Sequence, residues 1–213
     1  SMVQRTRSQS KTSMKLIYLS CVCLSLLAGF SQSAFAQLQR YLTDRELQSL
    51  SQEFKRKLPT LKNDRTGTYR DRRTPAHRKQ IQTFVQAWAR VDPAIAPFLG
   101  GWTAIEESKL IYPSRTKGKV CIIDTFIPGM NESGVSFTLG NVIKGQVQTG
   151  DRKILIRQDG FLGSTFVYQG KPGLYEYGNP RPLEDPTTVN YLRQAPGIVS
   201  QFKQAGCTAG LPR

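Results

Sequence analysis

Val135-Ser136-Phe137-Thr138-Leu139 alternates apolar and hydroxyl side chains at a period of two. That pattern predicts a strand with one face packed and the other wet, the signature of antiparallel sheets. Reading outward from it, runs at 102–105, 110–112, 120–127, 142–147, 153–157, 164–168 and 174–177 share the strand character. Pro128-Gly129, Gly150-Asp151, Asp159-Gly160 and Gly170-Lys171-Pro172-Gly173 punctuate them as turns. Short connections between successive strands predict a meander.

The flanks are helical. Thr43 with Glu46 forms a capping box, and Leu47, Leu50, Phe54 and Leu58 follow at helical spacing until Pro59 is expected to end the helix. Residues 60–74 are charged and poor in apolar groups, which predicts an exposed loop. Thr74-Pro75 opens a second helix as N-cap and first helical residue, and Ile81, Phe84, Val85 and Trp88 give it an apolar stripe to about residue 91. A final helix is expected from Pro186-Thr187 through Phe202, kinked at Pro196-Gly197. The fold class is therefore α+β: a twisted antiparallel β-meander of six to eight strands, curved as far as a partial barrel, with two N-terminal helices and one C-terminal helix. Three segments follow: an export signal with an upstream extension at 1–36, a helical basic segment at 37–99, and the sheet with its C-terminal helix at 100–213, the last two packed as one domain.

At Phe98-Leu99-Gly100-Gly101-Trp102, the pair Gly100 and Trp102 resembles the G-x-W strand opening of lipocalin-type barrels. The resemblance implies a small curved sheet that holds a ligand. About eighty residues of sheet are fewer than a full lipocalin barrel uses, so a partial closure is expected.

Charge is segregated along the chain. The protein carries a formal net charge of +15. Residues 55–79 hold Lys55, Arg56, Lys57, Lys62, Arg65, Arg70, Arg72, Arg73, Arg78 and Lys79 against only Asp64 and Asp71, with Tyr69 among them. Charge so localised predicts one docking surface for an anionic partner: an acidic protein face, anionic lipid or an envelope polymer, with peripheral membrane contact included. Nucleic acid is electrostatically equivalent, but no RNP, helix-turn-helix or zinc-finger pattern supports it, and export removes it from reach. The bland rival is a solvated loop whose charge only aids solubility.

Met14-Lys15, an apolar run from Leu16 to Phe30, and Ala34-Phe35-Ala36 read as a secretory signal cleaved after Ala36. The run is shorter than the ~20 apolar residues of a membrane span, which weakens the retained-anchor reading. No twin-Arg pair points to the Tat route, and Tyr18 spoils a lipobox before Cys21. An extracytoplasmic destination follows: periplasm, another lumen or the exterior. Cys21 and Cys23 leave with the signal, and Cys121 and Cys207 then form one disulfide. Two remaining cysteines and the single His77 leave no metal set, and no cofactor motif of G-x-G-x-x-G or P-loop type occurs.

Candidate chemistry elsewhere is thin, so no catalytic residue is assigned and a non-catalytic binding or accessory protein is expected. His77 sits between basic neighbours with no nucleophile placed beside it. Glu106, Glu107 and Asp124 are the carboxylates near the strands; facing pairs among them would suit a cell-wall glycoside hydrolase, whereas a strand end in water is the plainer reading. Trp88, Trp102, Tyr168, Tyr175 and Tyr177 suit core or cross-strand pairs, or a surface for carbohydrate or lipid; the alternative to a docking protein is a small carrier whose curved sheet holds an apolar ligand. Asn131-Glu132-Ser133 fits a glycosylation acceptor.

Overall fold

The strands form, and they close on themselves. A computed structural model describes residues 40–65, 67–126, 134–193 and 195–213, and Arg40–Arg213 make one packed unit. The export signal expected at 1–36, the turn expected at Pro128-Gly129 and the glycosylation acceptor read at Asn131-Glu132-Ser133 lie outside the described residues. In chain order come α1 (Asp44–Lys62), α2 (Pro75–Val91), a 3-10 turn (Ala96–Phe98), then β1 (Gly100–Thr103), β2 (Glu107–Pro113), β3 (Lys119–Phe126) and β4 (Val135–Ile143). β5 (Gln146–Thr149), β6 (Ile154–Gln158), β7 (Phe161–Tyr168), β8 (Lys171–Arg181), α3 (Asn190–Arg193) and α4 (Pro196–Gln204) follow.

Each strand pairs antiparallel with the next, and β8 returns to β1 to complete an eight-stranded closed barrel. Closure goes beyond the partial barrel expected from so few residues. Short turns make it fit. Lys144-Gly145, Asp159-Gly160 and Gln169-Gly170 each place two consecutive residues at positive φ, the conformation whose twist matches the flanking strands. Two of these turns correct the sequence reading. Lys144-Gly145 splits the run at 142–147 between β4 and β5, and β8 already begins at Lys171, so Pro172 and Gly173 are strand residues. A register shift between Gly101 and Thr103 lets β1 meet β8.

Register assigns the faces. Trp102 pairs with Lys109, Lys109 with Asp124, Ile111 with Ile122, Val147 with Leu155 and Leu162 with Tyr177, and this set points into the barrel. The alternating residues Tyr112, Cys121, Ile123, Ile154, Ile156 and Phe161 point outward, where helices cover them. Val135 and Phe137 belong to this outer set, packed with Phe202, Leu192 and Tyr112. Their alternation is as the sequence suggests, but the hydroxyl face of β4 is the inner one.

Helix α1 lays Leu47, Leu50, Phe54 and Leu61 on Ile154, Ile156 and Phe161, each buried side chain contributing about 1.5–3 kcal/mol. Its capping box is formed as expected. The helix does not stop at Pro59: it continues one turn, and Asn63 N–H bonds Pro59 O at 3.1 Å. Burial of Leu61 offsets the hydrogen bond that proline cannot donate. Gly163 lets Phe54 approach the sheet, since a Cβ there would lie 3.1 Å from the ring.

Helix α2 and the 3-10 turn close one end of the barrel. Trp88, Phe98 and Leu99 join Trp102, Ile111 and Val120 in one core cluster. Trp102 Nε1 donates to Phe98 O at 2.8 Å, and the Arg157 guanidinium stacks 4.5 Å from the Trp102 ring. Burial draws the Arg157 pKa down to about 10. Asp92 Oδ2 accepts from Gly118 N at 2.7 Å, tying the helix end to the β2–β3 turn.

The expected C-terminal helix forms as α4, with the single turn of α3 set apart ahead of it. Ala195, at φ −123 and ψ 66, cannot stay helical before Pro196, so α3 and α4 are separate. α4 brings Phe202 edge-on to Tyr112 with ring centroids 5.0 Å apart. The Cys121–Cys207 disulfide forms, with Cα atoms 6.1 Å apart across 86 residues. Among the described residues no helix is long and apolar enough to cross a membrane.

Two stability changes follow from this packing. Replacing both cysteines by Ala is expected to lower the unfolding free energy by about 2–4 kcal/mol in urea titrations. Gly140→Ala, whose new Cβ would meet Val147 Cγ1 at 2.4 Å inside the barrel, is expected to cost about 1–3 kcal/mol in the same assay.

Candidate functional site

Two places are candidates: the loop around residues 63–74, with its exposed basic side chains, and the inner wall at the barrel's far end. The loop is held by a small set of anchors. Asp64 accepts from Gly67 N and Tyr69 N at 2.7 and 3.0 Å. Tyr69 is half-buried, edge-on to Phe161, with its hydroxyl donating to Glu176 O at 2.8 Å and its backbone carbonyl accepting from Asn179 Nδ2. Burial raises its pKa. Tyr69 therefore fixes the loop to β8.

The basic residues divide by partner. Lys57 pairs with Glu176 at 2.8 Å and Glu53 at 3.2 Å, and its hydrogen bond to Glu176 raises its pKa. Lys62 pairs with Asp159. Arg73 holds Asp71 at 2.9 Å and donates to Pro180 O, while Arg78 lies 3.7 Å from Asp71 and donates to Arg73 O. Lys55, Arg56, Arg65, Arg70, Arg72 and Lys79 are exposed and have no ion pair among the described residues. Of these, Arg70 and Arg72 converge with Arg181 of β8 on a cleft of about 430 Å³, completed by Gly67, Thr68, Thr103 and Asn179. No carboxylate lines it. Arg181 was outside the sequence prediction because it lies far along the chain, and only barrel closure brings the β8 end beside the loop.

A second, apolar groove of about 560 Å³ runs between α2 and the C-terminal tail, lined by Phe84, Pro182, Leu183 and Leu211 with Lys79 at its side. His77 N–H bonds the Thr74 cap at 3.1 Å, and its Nδ1 is buried without a hydrogen-bond partner among the described residues.

Inside the barrel the exposure of inner-face residues rises from one end to the other. Along β7, Leu162 and Ser164 are buried, Phe166 is 40% exposed and Tyr168 64%. Along β3, Val120 and Ile122 are buried and Asp124 and Phe126 are partly exposed; on β4, Gly140 is buried and Ser136 exposed. The barrel is filled at the α2 end and opens at the other as a cup. Its floor is polar. Lys109, only 2% exposed, bonds Asp124 at 2.5 Å and lies 5.5 Å from the Tyr177 ring centroid. Tyr177 donates its hydroxyl to Glu107, and burial first, then this bond, raises its pKa. Tyr175 stands edge-on to Tyr177, centroids 5.4 Å apart, and donates to Ile105 O at 2.6 Å.

The three carboxylates thus part ways. Glu107 and Asp124 share the inner wall as diagonal neighbours of the β2–β3 ladder, about 7–8 Å apart at that position. Glu106, at φ 63, sits exposed in the β1–β2 turn. Trp88 and Trp102 are core residues, Tyr175 and Tyr177 line the cup, and Tyr168 stands on its rim. Among the described residues no group of histidine, cysteine or carboxylate side chains could hold a metal. An eight-stranded antiparallel barrel fits a lipocalin-like carrier fold. Comparison with protein-family models, curated proteins and solved structures finds no match for this chain.

Two measurements check this geometry. The hydrogen bond from Arg73 holds the Asp71 carboxyl down at about 2, so that ion pair's contribution is full above the ordinary carboxylate range and fades as pH falls from about 4 to 2. NMR titration of the Asp71 carboxyl carbon should show that low midpoint, and Arg73→Gln should return it toward 4. Lys109→Met should cost about 3–5 kcal/mol in chemical denaturation by stranding Asp124, and Lys109→Met with Asp124→Leu should cost less.

Proposed function

We propose that this chain is an exported, non-catalytic binding or accessory protein that docks on an anionic partner through the surface built on residues 55–79. The observation that carries the reading is the cleft of Arg70, Arg72 and Arg181, three guanidinium groups around one opening without a lining carboxylate. Like charges converge at a cost unless something negative visits them. Guanidinium forks suit phosphate, carboxylate and sulfate oxygens, two at a time. The exposed Lys55, Arg56, Arg65 and Lys79 extend the positive field around this point and speed encounter with a negative surface. The Cys121–Cys207 disulfide supports an oxidising, extracytoplasmic setting.

A second reading rests on the cup. A closed barrel with one filled and one open end suits a carrier of a small ligand, and the inner wall near the opening offers Lys109, Asp124, Glu107 and tyrosines beside apolar rings. The cleft lies on the outer face of the barrel wall and the cup on its inner face, so the two readings are compatible.

The docking reading is tested by retention on heparin and by co-sedimentation with vesicles containing phosphatidylglycerol, each against increasing salt. The parent is expected to bind at low salt and elute as salt rises. The variant Arg70→Gln, Arg72→Gln, Arg181→Gln should elute at clearly lower salt from whichever matrix represents the partner. Identical elution of variant and parent from both contradicts the reading.

A further inference from the structure

Where β8 meets β1 it carries one residue too many. Gly101 pairs with Arg181 and Thr103 with Gly178, so β8 takes an extra step at Asn179-Pro180. Asn179 adopts φ 53, in the left-handed region that asparagine tolerates. Such a bulge inverts the face of the residues beyond it. Tyr177 packs inside the barrel, and unbroken alternation would send Arg181 inward too. Instead Arg181 shares the outer face with Gly101, where a Cβ would sit 3.9 Å from Arg181 Cβ.

The same bulge grips the loop on both sides of its two exposed arginines. Asn179 Nδ2 donates to Tyr69 O at 2.8 Å, and Arg73 Nη1 donates to Pro180 O at 3.1 Å. Arg70 and Arg72 lie between these anchors. Neighbouring carboxylates are already committed. Arg73 holds Asp71 through Nε and Nη2 at 2.9 Å each, Asp64 accepts from Gly67 N and Tyr69 N, and Glu176 pairs with Lys57. Setting Arg73 and Arg78 against Asp71 and Asp64 still leaves Arg70, Arg72 and Arg181 unmatched around the cleft. The rest of its lining is Gly67, Thr68, Thr103 and Asn179, with no aliphatic or aromatic residue.

We infer that this cleft binds a phosphate monoester on a small hydroxylated body, and that the β8 bulge builds the site by turning Arg181 outward. A phosphate monoester offers three strong acceptor oxygens and nearly two negative charges, against three guanidinium groups. A carboxylate or a phosphodiester offers two oxygens and one charge. The polar lining and a volume of about 430 Å³ suit a sugar or polyol beyond the phosphate, and not an acyl chain. This rests on the docking reading and narrows its anionic partner to one chemical class.

Isothermal titration of the whole chain with glycerol 3-phosphate, glycerophosphoglycerol, succinate and glycerol tests it. Glycerol 3-phosphate is expected to bind. The diester and the dicarboxylate should bind at least about tenfold more weakly, the cost of one charge-assisted hydrogen bond, and glycerol should not bind. Arg181→Gln, at an exposed position, should weaken glycerol 3-phosphate about tenfold or more, and Arg181→Lys should restore only part, since an ammonium lacks the fork. Arg65→Gln with Lys79→Gln, both outside the cleft, should leave this binding unchanged. Retention on vesicles doped with phosphatidic acid, released by glycerol 3-phosphate, identifies a lipid headgroup as the source; binding of the soluble probe without that retention identifies a soluble or polymer-borne one. Succinate binding as tightly as glycerol 3-phosphate, or an unaffected Arg181→Gln variant, overturns the monoester site. The docking reading then stands if heparin or phosphatidylglycerol retention still falls in the triple arginine variant, and both fail if it does not.

Discussion

Closure of β8 onto β1 is the constraint on which the other features depend. A ring of eight short strands has just enough interior for side chains, so its two ends must be settled separately. One end receives α2, Phe98 and Leu99, with Trp102 bonded to Phe98 O and capped by Arg157. The other receives no helix among the described elements, and its inner wall becomes polar as it nears water. Each buried or partly buried charge at that wall has a polar partner: Lys109 has Asp124, and Glu107 has the Tyr177 hydroxyl. The same closure carries Arg181 to the loop that bears Arg70 and Arg72.

Outside the ring, helices serve as covers. α1 seals β6 and β7 with Phe54 and its neighbours, and α4, held by the disulfide, seals β2 to β4. Because α1 spends its apolar stripe on the barrel, its opposite face can carry Lys55 and Arg56 into solvent. The loop after it is pinned by Asp64 and Tyr69, which leaves Arg70 and Arg72 projecting from a fixed backbone.

Much of this could be read from the residues. The capping box at Thr43 and Glu46, the Thr74-Pro75 helix start and the Asp159-Gly160 turn announce themselves through local hydrogen bonding and backbone preference. The disulfide follows from counting. Lys144-Gly145 and Gln169-Gly170 were harder, because lysine and glutamine are weak turn formers and only the glycine marks the site. Helix α1 overran Pro59 because burial of Leu61, a tertiary effect, outweighed a local one. The face of β4 could not be assigned either: an alternating strand does not say whether its polar side looks at bulk water or into a cup. Glu107 and Asp124 were noticed as carboxylates near strands, but their partners Lys109 and Tyr177 depend on register across the ring.

The central claim is that the sheet is a closed ring whose inner face is polar at one end. Nuclear Overhauser contacts between β1 and β8 backbone protons test it directly, above all between Thr103 and Gly178. The account predicts those cross-strand contacts together with slow amide exchange along both strands. Two free edges, with no β1–β8 contacts and fast exchange on each, would contradict it.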